Sequence, residues 1–258
     1  MKKIISTTLA IALMLGAFAQ ENGTNQGTFS AGARIGMGIG LSEPKQFMDF
    51  ANQEFYGGRI TNMTHNSELN FNVALYGNFA FNNFLSLQAE LNFMIYQGYD
   101  MRLTMSTEGL SSPLGSQPPL PGPIPNQLTF NADLSYFSLD IPLLAKVNFL
   151  GGSPNGASFG LLAGPHVSLF LGRAEFWEER AFGFGGERDT YFNIDNSAVF
   201  GITAGLFCSI PVGPGRIVAD FRFVRDFSSL QATTELGNQF DILQRSAVVL
   251  SLGYQISF

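Results

Sequence analysis

Seven side chains able to carry charge sit where charge is costly. Arg34, Glu90, Asp140, Lys146, His166, Asp220 and Arg222 each lie in a stretch whose alternate neighbours are apolar. Around Glu90 the apolar set is Leu87, Ala89, Leu91, Phe93 and Ile95, and the polar set is Ser86, Gln88, Glu90 and Asn92. Successive side chains of an extended strand point to opposite faces, so Glu90 faces away from the apolar row. Carboxylates, arginines and a histidine gathered on such faces could move protons as acid and base, or line an ion path. They could instead close on one another as salt bridges. An unpaired charge in an enclosed space costs several kcal/mol, so the expected outcome is a closed plug. Arg34 and Arg222 are expected to neutralise Glu90 and Asp140, with Lys146 and Asp220 in the same network.

Other groups with chemical potential are weaker. Asp49, Glu54 and His65 lie close in sequence, without the spacing of a metal site or a catalytic triad. His166 stands alone in its strand and is expected to be a hydrogen-bonded interior residue. Glu175, Glu178 and Glu179 flank Trp177 and could meet a cation or a basic partner, although a solvated face accounts for them. Gly36-x-Gly38-x-Gly40 lacks the Lys-Ser/Thr and following helix of a phosphate-binding loop. Cys208 is the sole cysteine and falls on an apolar face. No catalytic residue, cofactor site or metal site is expected, and the chain does not read as an enzyme.

The elements that must carry these residues alternate with a period of two, where a helix would space its apolar positions three and four apart. Strands are expected at 29–41, 70–81, 84–96, 134–150, 158–171, 197–210, 216–226 and 245–258. Pro142 and Pro165 should mark bulges or local breaks. The connections run long, short, long, short, long, short, long. The second long one holds a stiff stretch from Pro118 to Pro125, which favours an extended polyproline form. Eight strands joined in this rhythm make an all-β, eight-stranded antiparallel up-and-down transmembrane β-barrel, with short periplasmic turns and four long external loops. Its lumen has room only for side chains.

Both ends of the chain fit that reading. Lys2 and Lys3 precede an apolar run ending in Ala17-Phe18-Ala19, the pattern of a signal peptide over 1–19 cut before Gln20. A flexible lead at 20–28 and a barrel over 29–258 follow. The final strand places Tyr254, Ile256 and Phe258 on its apolar face, with Phe258 bearing the terminal carboxylate. Such a group suits a membrane interface, where the ring is buried and the carboxylate stays wet. These three residues are expected to form a C-terminal assembly signal. Hydrophobic residues make up 45 % and charged residues 13 % of the chain, and the formal net charge of −6 argues against a nucleic-acid partner.

The stretches FLSLQAELNF (from Phe84), YFSLDIPLLAK (from Tyr136), LLAGPHV (from Leu161) and the LGYQISF ending together resemble the PorT-like outer-membrane β-barrel proteins of Gram-negative bacteria. The resemblance spans about 29–258. It implies architecture and outer-membrane location, and it permits a role as subunit or assembly factor of an envelope secretion system. The leading expectation is a non-enzymatic integral barrel whose external loops serve contact or binding. A small-solute channel is the third reading. Expected partners are outer-membrane lipid, the barrel assembly machinery and other envelope proteins met through the loops.

Overall fold

A computed structural model describes residues 27–41, 49, 52–53, 58–67, 69–107, 126–150, 156–178, 188–194, 198–233 and 239–258. In chain order its strands are β1 (Thr28–Gly40), β2 (Ile60–Ser67), β3 (Leu69–Ala80), β4 (Leu85–Ser106), β5 (Gln127–Leu150), β6 (Ser158–Glu178), β7 (Arg188–Ile194), β8 (Ala198–Val212), β9 (Gly215–Asp226), β10 (Leu230–Thr233), β11 (Gln239–Leu243) and β12 (Ser246–Ser257). Eight of them, β1, β3, β4, β5, β6, β8, β9 and β12, pair antiparallel in that order. The ring closes where β1 meets β12, from Ser30↔Ser257 to Gly40↔Ala247. The protein is a closed eight-stranded antiparallel barrel.

Local chemistry sets the tight turns. Between β3 and β4 the Asn82 side chain accepts hydrogen bonds from the Phe84 and Leu85 amides, each at 2.8 Å. Between β8 and β9, Gly213 takes φ +60° in a two-residue turn, a left-handed geometry that hairpin turns of this length require. Both turns lie at the same end as the two chain termini.

The barrel turns its apolar face outward. Ile35 is 65 % exposed and Leu75 is 58 % exposed, while Arg34 and Ala74 beside them are 4 % and 0 %. Phe81, Phe84, Phe149, Phe159 and Phe258 ring the turn end, and Phe71, Phe137, Phe200, Phe223 and Phe227 ring the other. An apolar band between aromatic girdles is the outer surface of a lipid-embedded barrel. Among the described residues no helix is long and apolar enough to cross a membrane.

Three staves outrun that band. β4, β5 and β6 have 22, 24 and 21 residues, against about 9–11 for a tilted span. Their far halves continue the sheet away from the turn end. β2 adds to β4, β7 adds to β6, and β10 and β11 follow β7. Much of the connections at 42–69, 97–133, 172–196 and 227–244 is therefore strand where loop was expected. Chains leaving neighbouring staves already lie side by side in register, so each further rung closes little new loop.

The prolines mark local breaks in the β4–β5 and β5–β6 ladders rather than bulges, one of the two outcomes expected of them. Pro142 pairs with His166 and Ala145 with Ala163 in a single register, so Pro142 breaks rungs without a bulge. Pro165 keeps its place opposite Ile202. A missing N–H removes a rung but does not demand an inserted residue. The register shifts fall elsewhere, and the most consequential lies between Met94 and Gln97 of β4.

Candidate functional site

Inside the barrel the inward faces stack into tiers. Next to the turn end, Gln255 donates to the Ser30 hydroxyl at 2.7 Å. Above it, Lys146 donates to Gln88 Oε1 at 3.0 Å and sits over the Phe207 ring, 4.1 Å from its centre. Gln88 in turn donates to Glu90. Lys146 thus reaches the carboxylates through an amide rather than directly.

The central tier is a four-membered ion cluster. Arg34 donates to Glu90 at 2.6 and 3.1 Å and to Asp220 at 3.1 Å. Arg222 donates to Glu90 at 2.8 Å and holds Asp220 through Nε at 2.7 Å and Nη2 at 3.0 Å. All four side chains are at most 4 % exposed. Two cations and two anions balance, so the usual penalty of a buried unpaired charge is avoided. The strands explain the meeting: Arg34 is on β1, Glu90 on β4, and Asp220 and Arg222 stand two apart on β9, so the cluster spans the lumen.

Asp140 lies outside that cluster, contrary to expectation. It belongs to a second one, further from the turn end, whose cation is Arg245. Arg245 donates to Asp140 at 3.0 Å and to Asp226 and Ser168 at 3.2 and 2.6 Å. His166 bonds Asp226 through Nε2 at 2.8 Å and Thr203 through Nδ1 at 3.1 Å. The His166 ring therefore bridges the Asp226 carboxylate and the Thr203 hydroxyl. Arg34 and Asp140 are held apart because Asp220, on a strand nearer to Arg34, takes its second bond. The sequence reading missed Arg245 and Asp226. Each continues the inward parity of its strand by two residues, from Ala247 and Val224, and that extrapolation would have found them.

Bulky side chains fill the remaining space. Tyr76, Tyr136 and Leu144 are 6, 2 and 0 % exposed. The inward glycines of β1 do not open the wall: a Cβ at Gly36 would strike the Asn72 and Ser251 side chains, and one at Gly32 the Tyr76 ring. A cavity of about 10 Å³ beside Asn70, Tyr99, Tyr136 and Arg245 has room for one water molecule.

Beyond the apolar band the described outward residues of β2, β4 and β5 are polar. Asp100 and Asp133 stand directly opposite each other on β4 and β5. Burial pushes the Asp133 carboxyl up to about 6, and a hydrogen bond with Asp100 and its negative charge act in the same direction.

His65 lies on β2 and Asp49 in a helical turn. Glu175, Trp177 and Glu178 lie on β6. Glu54, Glu179, the Pro118 to Pro125 stretch and the expected signal peptide fall outside the described residues. Cys208 is exposed on the apolar outer face. Tyr254, Ile256 and Phe258 are outward, at 37, 42 and 80 % exposure. The Tyr254 hydroxyl donates to the Val212 carbonyl at 3.1 Å, and the Phe258 ring stacks on Phe29 at 6.2 Å.

No curated protein matches this sequence. Among solved structures it is similar to the outer membrane protein OprG of Pseudomonas aeruginosa, at 12 % identity and TM-score 0.45, over 91 % of this chain and 98 % of that one. It is similar to Neisserial surface protein A at 12 % identity and TM-score 0.39, over 89 % and 97 %. The outer membrane protease OmpT of Escherichia coli follows at 10 % identity and TM-score 0.37, over 90 % and 97 %. The sequence family described as outer membrane protein beta-barrel domain matches residues 18–232. That match covers most of the chain, including every stave but the last, and the chain belongs to this family of outer-membrane barrels.

Proposed function

We propose that this protein is a sealed, non-enzymatic barrel of the outer membrane that holds an extracellular sheet and its loops in position to contact a partner. The observation that carries the reading is the pairing of lumen charge: two ion clusters, built from β1, β4, β5 and β9 together with Arg245 just before β12, close the interior. A barrel so filled is an anchor rather than a conduit. The sheet beyond the apolar band supplies the surface that such an anchor presents. In this reading the tight turns and both termini face the periplasm. The assembly machinery reads Tyr254, Ile256 and Phe258 on the outward face of β12.

Single-channel recording in planar bilayers tests the seal. The pure protein is expected to be silent, and a Glu90→Gln, Asp220→Asn variant to open, because Arg34 and Arg222 would then face each other unneutralised. Frequent porin-like openings of the unaltered protein would replace the anchor with a channel. The PorT-like resemblance favours a second role, as part of an envelope secretion assembly. Purification after gentle solubilisation separates the two: a stable complex with other envelope proteins selects the assembly role, and a barrel purified alone selects independent contact through the loops.

A further inference from the structure

We infer that the inner face of the extended sheet binds a soft monovalent metal ion, Cu(I) or its congener Ag(I), through the sulfurs of Met63 and Met101 and the imidazole of His65. His65 on β2 is the direct cross-strand partner of Met101 on β4. Met63 precedes His65 by two residues and so shares its face. That face is the inner one. Met63 and His65 are half-buried between exposed Asn62, Thr64 and Asn66, while Met101 is 3 % exposed between exposed Asp100 and Arg102. The His65 ring meets Tyr99, another inward residue, edge-on at 6.1 Å.

Directly opposed Cβ atoms on paired strands lie about 4.5–5.5 Å apart and diagonal ones about 7–8 Å apart. A methionine side chain has three rotatable bonds, so its sulfur can reach a point between these positions. The imidazole is available: among the described residues His65 has a ring contact with Tyr99 but no hydrogen-bond or ion-pair partner. An apolar lining alone calls for no histidine. The donor set is uncharged, with Asp100 on the opposite face of its strand. Thioethers are soft ligands that suit Cu(I), imidazole accepts the same ion, and hard cations such as Mg²⁺ and Ca²⁺ seek oxygen instead. Carboxylate and imidazole spacing is silent about such a site, because two of its three ligands are thioethers.

The test is titration of the full protein in detergent with Ag(I) in chloride-free buffer. It is read by native mass spectrometry and by the methionine methyl and histidine ring resonances. The protein carries Cys208→Ser, so the one thiol cannot take the ion. One ion per chain is expected, with the signals of Met63, His65 and Met101 shifting together. Met63→Leu or Met101→Leu, which keep side-chain volume, should each weaken binding roughly tenfold. The triple variant Met63→Leu, His65→Gln, Met101→Leu should not bind, while its electrophoretic shift on heating remains that of a folded barrel. Absence of stoichiometric uptake by the Cys208→Ser protein, undiminished uptake by the triple variant, or equally tight uptake of Zn²⁺ would overturn the proposal.

Discussion

The two halves of β5 are opposites. From Ser135 back towards Gln127 its outward residues are polar, and Leu134 and Tyr136 turn inward at 0 and 2 % exposure. From Phe137 onward its outward residues are Phe137, Leu139, Ile141 and Leu143, and its inward ones include Ser138, Asp140 and Lys146. One continuous strand passes from a water-soluble pattern to its inverse within two residues. β4 makes the same change by different means. Its inward set is Gln88, Glu90, Asn92 and Met94, then Tyr99, Met101 and Leu103, so the parity flips across the register shift between Met94 and Gln97. One extra residue is enough, because side chains alternate with a period of two. The backbone ladder is indifferent to which solvent it crosses. What differs is which face must be apolar, lipid dictating the outer face and water the inner one.

The comparison can be broken most severely from inside the membrane half. Arg245→Met leaves Asp140 and Asp226 without their shared cation, and unfolding in urea from detergent or lipid should show a loss of about 3–5 kcal/mol. A barrel unaffected by this change would mean that the second cluster does not hold the lumen. Next in size is the outer face. Leu91→Arg, if near the bilayer midplane, should cost about 2–4 kcal/mol. Asn92→Ser, facing the lumen, should be far milder, and Thr104→Arg on the water-facing part of the same strand should stay within about 0.5 kcal/mol. Equal damage at positions 91 and 104 would erase the distinction between the halves. Deleting Tyr96 sharpens it: removal of the extra residue should exchange the faces beyond the shift. Limited proteolysis should then cut the extended sheet while the barrel keeps its heat-dependent migration on gels.

The smallest effect is that of Asp133. Its folded carboxyl titrates at about 6, against the usual 3.8. The folded state therefore holds the proton more tightly. The associated stability is fully present below about 3.8 and is lost as pH rises through about 6. The extended sheet should become slightly easier to digest across that window. Asp133→Asn should abolish the change, and a pH profile identical in both proteins would remove the carboxylate pair from the explanation.

Much of the membrane half was legible in the residues. Leu87 to Ile95 alternate so regularly that stave, face and inward Glu90 follow together. The extended sheet was hidden for physical reasons. In β4 the inserted residue puts the two alternating patterns out of phase, and a single period fitted across 84–106 averages to nothing. In β5 the chemistry changes sides at Ser135, so the run from Gln127 looks like a polar loop when judged by the lipid pattern. Partner choice in the lumen was legible only as charge balance. Arg34 takes Asp220 rather than Asp140 because of where β9 lies across the barrel, and no spacing along the chain expresses that.

The seam between β1 and β12 has a consequence in time. Its rungs join residues more than two hundred positions apart, Ser30 to Ser257 at the far extreme. A ribosome or a translocation channel delivers the first of these long before the second. Until Ser257 arrives, β1 has only one neighbour, and its other edge offers unpaired amides and carbonyls to any strand nearby. No partial chain can shield that edge with its own residues. The β1–β12 rungs can therefore form only after nearly the whole chain has been delivered, and an edge left open until then is safest when shielded during transit.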